Sequence, residues 1–234
     1  MPRAVLLDFY GTLARDTHPT PGIDQVLGTR GYEISDRQRE QWWNGDLDGL
    51  EHVEVSRSRD HYRAWQRERL VALLTEADVH PGEHDAILAE LDSGRATRVL
   101  RAYPEVPAAL SALRAAGLTL AVCSNWDWDL EAAVAEAGLA GCVDMLVSSA
   151  WAGARKPHAR IFRYTLDALE VAADEVVFVG DTWGPDVEGP TDAGMRAVYL
   201  ERDGHWPDAT LPDEGVGPRD VARVKDLSEL LGVL

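Results

Sequence analysis

The chain has 234 residues and a formal net charge of −17, with 40 acidic and 23 basic side chains. Such a surface repels phosphate backbones and disfavours nucleic acid as a partner, whereas a small anionic substrate stays possible because a metal or a few local cations can reverse the field in a pocket. No apolar run is long enough for a signal peptide or a transmembrane helix, so we expect a cytoplasmic protein with no membrane partner.

The first predicted element is a buried strand over residues 4–8, which ends in Asp8 and is followed at once by a Gly-Thr turn. Ligands of open α/β sheets sit at the carboxyl ends of the strands. A carboxylate at such a place acts as a nucleophile or holds a metal. An ordinary turn aspartate fits this segment equally well, so the rest of the chain has to decide between the two interpretations.

Residues 15–99 are predicted to form a helical insertion without strands. They are rich in Arg, Glu, Gln and Trp, and apolar residues recur at helical spacing between Tyr62 and Leu74. Pro104 marks the return to the main domain. The seven histidines of the chain have no metal-ligand spacing, and we expect them on the surface.

The second half of the chain alternates between strand and helix patterns. Strands are predicted over 118–123, 143–147, 176–179 and 196–200, and helices over 106–116, 130–137, 159–169 and 187–193. Continuous apolar strands in such an alternation predict a doubly wound, Rossmann-like parallel sheet with helices on both faces, which the first strand joins. A surface loop over 203–220 and a short helix over 224–231 complete the prediction.

Polar residues follow the predicted strands at four places in the chain. Asp8 ends the first strand, Ser124-Asn125 follow the second, Lys156 precedes a helix, and Gly180-Asp181 follow a fourth apolar run with Asp186 five residues on. Each signal alone has an ordinary explanation, since Ser-Asn is usually a helix cap, Lys-Pro a solvated turn and Gly-Asp a turn. All of them in this order are hard to ascribe to chance.

The chemistry of this set is coherent. Asp8, Asp181 and Asp186 would concentrate negative charge at one sheet edge and raise one another's pKa unless a cation is present. Mg²⁺ favours one or two carboxylates together with waters and substrate phosphate. Lys156 offers a compact positive charge, and the Ser124 hydroxyl can bind an oxyanion. Phosphoryl transfer needs this combination of nucleophile, metal and positive charge.

The four motifs in this order resemble the haloacid dehalogenase-like (HAD) hydrolase superfamily, over the whole chain. The resemblance implies a Rossmann-like catalytic core of residues 1–14 and 100–234 and an inserted α-helical cap domain of residues 15–99. It implies that Asp8 is the nucleophile and forms an aspartyl intermediate. Ser124, with Asn125 beside it, would bind the transferring group, and Lys156 would stabilise it. Thr12 would help to fix the Asp8 loop.

The resemblance also implies a metal site. Asp181 and Asp186 would hold or support Mg²⁺ together with Asp8. Tyr10, two residues after the nucleophile, would contribute its backbone carbonyl to the metal, a group that any residue supplies.

Tyr10 departs from the pattern of the family's phosphatases, which carry a general-acid aspartate there. A tyrosine is similar to the L-2-haloacid dehalogenase branch, in which the leaving halide needs no proton. Arg39 lies 31 residues after Asp8, where the substrate-gripping arginine of that branch could stand, but an ordinary solvated arginine is the better explanation of it. Other positions argue the opposite way. Those dehalogenases use no metal and have Ser and Asn where this chain has Gly180–Thr182, and they carry a tyrosine where this chain has Phe162.

We therefore expect a Mg²⁺-dependent phosphatase of a small phosphorylated metabolite, acting as a monomer or homodimer. A metal-independent 2-haloacid dehalogenase is one alternative. The other is a catalytically weak HAD-like protein that binds a ligand or partner, because a general acid is typically worth about 10²–10⁴-fold in rate and Tyr10 has replaced it.

Overall fold

The computed structural model describes residues 2–18, 20–39, 49–202 and 221–234. Six strands of the described residues form a parallel sheet in the order β5-β4-β1-β6-β7-β8. The strands are β1 (Ala4–Leu7), β2 (Ala14–Asp16), β3 (Leu100–Ala102), β4 (Thr119–Ser124), β5 (Met145–Ser148), β6 (Val176–Gly180), β7 (Arg196–Leu200) and β8 (Ala222–Val224). The order doubles back at β1, as in a doubly wound fold, so the predicted fold class is confirmed.

Helices cover both faces of this sheet. Side chains of a strand alternate between the faces, and in β1 Val5 and Leu7 join one apolar core while Ala4 and Leu6 join the other. The nine helices of the described residues are α1 (Ile23–Gly28), α2 (Asp36–Arg39), α3 (Arg59–Glu76), α4 (His84–Thr97), α5 (Val106–Ala115), α6 (Leu130–Glu136), α7 (Ser149–Ala152), α8 (Ala159–Leu169) and α9 (Gly189–Asp192). Helices α5 and α6 pack on the first core and α8 on the second.

Helices α1 to α4 lie between β2 and β3 in the chain, and α1, α3 and α4 share an apolar core of their own. Ile23, Leu27, Leu73 and Leu91 are among its buried members. This is the predicted helical insertion, while its domain boundaries at 14/15 and 99/100 stay predictions. Across the described ranges, the structure contains no helix with the length and apolar character needed to cross a membrane.

The prediction of no strand within 15–99 is wrong at one point. Arg15 and Asp16 belong to β2, which pairs antiparallel with β3 where the chain leaves and re-enters the core. Three-residue strands are too short to show an alternating pattern, and their partners are more than 80 residues apart in sequence. The two linkers of the insertion are therefore tied together by backbone hydrogen bonds.

Two more predictions need correction near the end of the chain. The helix predicted over 187–193 is a wide π-helical turn, Gly184–Glu188, followed by α9; Gly-Pro pairs begin both pieces. The helix predicted over 224–231 is replaced by β8 and a 3₁₀ turn at Leu227–Gly232, since residues 222–224 pair with the edge strand β7. The loop predicted over 203–220 lies outside the described residues.

His52 contradicts the prediction that all histidines lie on the surface. It is 6% exposed, and its ring stacks on Trp65 at 5.2 Å between ring centres. Burial lowers the pKa of His52 to about 4, and nearby Arg155 acts in the same direction. The reason for its burial is backbone pairing, because His52 N donates to Gly153 O at 2.7 Å and so draws this part of the insertion onto the core.

Candidate active site

The carboxyl ends of three adjacent strands bring the predicted site residues together. Asp8 follows β1, Ser124 ends β4 on one side of it, and Asp181 follows β6 on the other. Lys156 reaches the same edge from the loop before α8. Buried apolar strands with a polar residue at the end give this arrangement, because parallel strands all end at one edge.

Four charged side chains form a buried group that we call the carboxylate–lysine cluster: Asp8, Lys156, Asp181 and Asp186. Lys156 Nζ donates to Asp8 Oδ1 at 2.7 Å and to Asp186 Oδ1 at 2.5 Å. Lys156 is 1% exposed, so the solvated-turn explanation for Lys-Pro does not apply. The Thr182 backbone amide also donates to Asp186 Oδ2 at 3.0 Å.

Two glycines allow the carboxylates to approach the backbone. A Cβ on Gly11, which has φ +90°, would collide with the carboxylate of Asp181, and a Cβ on Gly180 would collide with that of Asp186. Thr12 Oγ1 donates to Asp181 Oδ1 at 2.7 Å, which ties the loop after Asp8 to the end of β6. The role of Thr12 in fixing the Asp8 loop stays a prediction, and this contact is consistent with it.

Burial and mutual repulsion set the electrostatics of the cluster. Burial raises the pKa of Asp8; Lys156 opposes the rise, and Asp181 adds to it. Burial likewise raises the pKa of Asp186 to about 8, again against the effect of Lys156. Burial alone would lower the pKa of Lys156, but Asp186 and Asp8 outweigh it and raise that pKa. The ammonium therefore stays charged, while the raised pKa values of Asp8 and Asp186 favour their protonated forms unless a further cation is present.

The carboxylates of the cluster fit a divalent cation. Asp8, Asp181 and Asp186 each place one carboxylate oxygen within 4.8 Å of the other two, and all three residues are buried. When ionised, three carboxylates against one ammonium leave a net charge of −2. Hard oxygen ligands of this kind are those that Mg²⁺ prefers.

Ser124 and Asn125 have different surroundings. Ser124 is buried at the end of β4, and its hydroxyl lowers the pKa of the Asp8 carboxyl. Asn125 instead braces the lysine loop, since its Nδ2 donates to Lys156 O at 3.0 Å and its Oδ1 accepts from Lys156 N at 2.7 Å. The contacts of Asn125 thus favour positioning of Lys156 as its role.

Tyr10 points toward the linkers of the insertion. Its hydroxyl donates to Asp16 Oδ2 at 3.1 Å, and its ring lies 6.3 Å from that of Trp126. Arg98 lies 3.5 Å from Asp16 Oδ1 and 4.5 Å above the Trp126 ring. We call Tyr10, Asp16, Arg98 and Trp126 the linker cluster. Burial, and then Asp16, raises the pKa of Tyr10 to about 12.

Two positions compared with the dehalogenase branch can now be placed. Phe162 is fully buried and packs edge-on against Phe178 at 5.8 Å between ring centres, so it is part of the core. Arg39 is the last residue of α2, and its side chain lies outside the described part of the chain.

Sequence reasoning missed three residues that contact this region: Asp16, Arg98 and Arg202. Arg202 donates to the backbone carbonyls of Gly11 and Thr12. It comes two residues after the end of β7, so the rule that singled out Asp8 and Asp181 could also have found it. Asp16 and Arg98 carry no such signal, because they meet only through the pairing of β2 with β3.

Comparison with known proteins shows what the chain resembles. A family model for haloacid dehalogenase-like hydrolases matches residues 2–194. The chain is 37% identical over 129 residues to the phosphoserine phosphatase of Thermus thermophilus. The aligned region is 55% of this chain and 49% of that enzyme, so the chain spans about half the length of this relative. It is 30% identical over 213 residues to (S)-2-haloacid dehalogenase 1 of Pseudomonas sp. strain CBS-3, covering 86% of this chain and 85% of that one.

A crystal structure of a dehalogenase aligns with 100% of the chain and 97% of that protein, at 25% identity and a TM-score of 0.62. The similar proteins therefore include a phosphatase and dehalogenases. Hydrolysis is common to them, and the substrate class is not.

Proposed function

Because the chain belongs to the haloacid dehalogenase-like hydrolase family, we propose that it is a Mg²⁺-dependent phosphatase acting on a small phosphorylated metabolite through Asp8. The hydrolase assignment follows from the family. The choice of phosphate as the substrate group rests on the carboxylate–lysine cluster.

Asp181 is the observation that carries this choice. With Asp8 and Asp186 it forms a buried acidic group whose charge, when all three carboxyls are ionised, Lys156 balances only in part. A metal-independent dehalogenase has no use for these additional buried carboxyls, whose ionisation costs stability unless a cation is present. A phosphatase uses the same charge to hold a divalent cation.

In the proposed reaction Asp8 attacks phosphorus and forms an aspartyl phosphate while the leaving group departs. Lys156 holds Asp8 Oδ1, so we assign the attack to Oδ2. Water then hydrolyses the aspartyl phosphate, which releases phosphate and regenerates Asp8. Lys156 and the Ser124 hydroxyl stabilise the transferring group, since catalysis of phosphoryl transfer is mostly positioning and charge stabilisation. Mg²⁺ held by Asp8, Asp181, Asp186 and the Tyr10 carbonyl would neutralise charge on the phosphoryl oxygens.

Tyr10 limits which leaving groups this site can expel. Its hydroxyl is engaged with Asp16, and its pKa is raised to about 12, so it is a poor proton donor at neutral pH. Substrates whose leaving group needs little protonation, such as acyl phosphates and phosphoanhydrides, fit this site best.

The second candidate function is hydrolysis of 2-haloacids without metal. Tyr10 favours it, because halide needs no proton, and so does the 85% coverage of the Pseudomonas dehalogenase. Phe162 argues against it, because its ring is locked in the core and offers no hydroxyl.

A substrate panel with and without metal separates these functions. Purified protein is assayed on acetyl phosphate, a phosphoanhydride, an alkyl phosphate and a 2-haloacid, in Mg²⁺ and in EDTA. We expect release of phosphate from the first two that stops in EDTA and returns with Mg²⁺. An Asp8→Asn preparation controls for contaminating phosphatase. Halide release that resists EDTA contradicts the proposal, and binding of phosphate without turnover of any substrate favours a ligand-binding protein.

A further inference from the structure

Arg202 lies at the active-site edge of the sheet but belongs to none of the motifs. It follows the end of β7 by two residues, and its side chain is 8% exposed. We propose that Arg202 is a positioning residue that holds the loop between Asp8 and β2 in its reactive position. The inference rests on the proposed role of Asp8 as the nucleophile, and it is the same for phosphate and haloacid substrates.

The guanidinium of Arg202 binds the backbone of this loop at two places. Its Nε donates to Gly11 O at 3.1 Å and its Nη2 to Thr12 O at 2.8 Å. The planar, rigid fork of arginine suits two neighbouring acceptors, and lysine has no equivalent geometry. Both contacts are to main-chain atoms, so they fix the path of the loop and not one side chain.

The face of the guanidinium and its Nη2 also contact the linker that returns from the insertion. Its central carbon lies 3.7 Å from the centre of the Tyr103 ring, and Nη2 lies 2.6 Å from Glu105 Oε1. Both residues follow β3. Arg202 therefore joins three segments: the end of β7, the loop after Asp8 and the returning linker.

The carboxylate–lysine cluster also contacts this loop. Gly11 lies against the Asp181 carboxylate, and Thr12 donates to it. Arg202 and Asp181 thus contact the same two residues, Arg202 at their backbone carbonyl oxygens. A shift at Gly11 or Thr12 moves Asp8, which is three residues away, and misplacing a reacting group by about 1 Å can cost about 10²-fold in rate.

The test uses Arg202→Ala and Arg202→Lys in the full chain, with added ethylguanidinium as a rescue probe. We expect kcat to fall about 10- to 100-fold in Arg202→Ala with KM nearly unchanged, and millimolar ethylguanidinium to restore part of it. The kcat of Arg202→Lys should lie between those of the wild type and Arg202→Ala, because lysine keeps the charge but lacks the planar fork of the guanidinium. A role in folding alone would not give this kcat rescue.

Arg114 provides the matched control. It also binds a backbone carbonyl, that of Gly141, and a carboxylate, that of Asp144, but it does so at the amino ends of the strands. Arg114→Ala should keep kcat within about twofold and show no response to ethylguanidinium.

Hydrogen exchange gives a readout that needs no substrate. The amides of Gly11, Leu13 and Ala14 donate within this loop. We expect them to exchange faster in Arg202→Ala and to slow again with ethylguanidinium. If the wild type hydrolyses no substrate, the proposed function fails while this test of Arg202 still stands. Unchanged hydrogen exchange in a folded Arg202→Ala protein overturns the inference. If Arg202→Ala does not fold, an Arg202→Lys protein with the kcat of the wild type overturns it as well.

Discussion

The carboxylate–lysine cluster and the linker cluster both include contacts to the loop after Asp8, and they are built differently. The first consists of buried charges at the ends of core strands, joined by short contacts such as Lys156 Nζ to Asp8 Oδ1 at 2.7 Å. The second consists of partly exposed aromatic and charged side chains. In it the Tyr10 hydroxyl lies 3.1 Å from Asp16 Oδ2, and Arg98 Nε lies 3.5 Å from Asp16 Oδ1.

We propose that the first cluster carries the general chemistry and that the second influences substrate preference. The buried cluster stands on β1, β6 and the lysine loop, which the packed core holds in place. The linker cluster stands where the insertion leaves and re-enters the core, and there the chain departs from the phosphatase pattern at Tyr10. The predictions below change one cluster while leaving the other intact.

The largest expected effect comes from Asp8→Asn. The amide cannot form the aspartyl intermediate, and turnover should fall by about 10⁴-fold or more. The substitution is close to isosteric, so circular dichroism and thermal melting should show a folded protein. Asp167→Asn on the exposed side of α8 is the control and should keep full activity. Appreciable activity in folded Asp8→Asn would rule out the covalent mechanism.

Tyr10→Asp should give the next largest effect, and it is a gain. The shorter acid cannot keep the tyrosine's contact with Asp16, and it places a proton donor two residues after the nucleophile. On alkyl phosphates we expect a rise of about 10- to 100-fold, toward the lower part of the range for general acids because the linkers lose a hydrogen bond. Acyl phosphates should change little, since their leaving carboxylate barely needs a proton.

Tyr10→Phe is the control for this gain, because it removes the hydroxyl without adding an acid. It should change the rate on alkyl phosphates by less than about threefold. A loss on alkyl phosphates in a folded, Mg²⁺-binding Tyr10→Asp protein would mean that Tyr10 contributes to catalysis itself. A gain on 2-haloacids would contradict the proposed proton-donor effect.

The two clusters also differ in how far sequence could predict them. Asp8, Ser124 and Asp181 were predictable because each follows a long apolar strand, and parallel strands end at one edge. The contact between Asp16 and Arg98 was not, because it depends on two three-residue strands far apart in the chain. The burial of His52 likewise follows from pairing with Gly153, which no local pattern indicates.

Asp181→Ala should weaken Mg²⁺ binding by at least about tenfold, measured by calorimetric titration. It removes a carboxylate of the buried cluster and leaves the linker cluster unchanged. Tyr10→Phe should leave Mg²⁺ affinity within about twofold, because the proposed ligand from that residue is its backbone carbonyl. Equal losses in the two variants would count against the proposed ligand set.

The smallest expected effect is on stability between pH 6.5 and 8 without metal. Asp186 has its pKa raised to about 8 in the folded protein, whereas an unfolded aspartate has a pKa of about 3.9. The folded state therefore binds more protons in this window, and stability should fall as pH rises, by at most about 1.4 kcal/mol per pH unit for this one group. His52, with its pKa lowered to about 4, acts in the opposite direction only below about pH 6.5, where an unfolded histidine gains a proton.

Thermal melting in EDTA should thus give a lower Tm at pH 8 than at pH 6.5, by a few degrees. Saturating Mg²⁺ should remove this slope, because the cation takes the place of the proton among the carboxylates. Asp186→Asn is the matched variant, since it lacks this titrating group and should show a shallower slope in EDTA, the remainder coming from Asp8, whose pKa burial also raises. A Tm of the metal-free wild type that rises with pH over this window would mean that Lys156 alone keeps Asp186 ionised, and the electrostatic case for a divalent cation would then be lost.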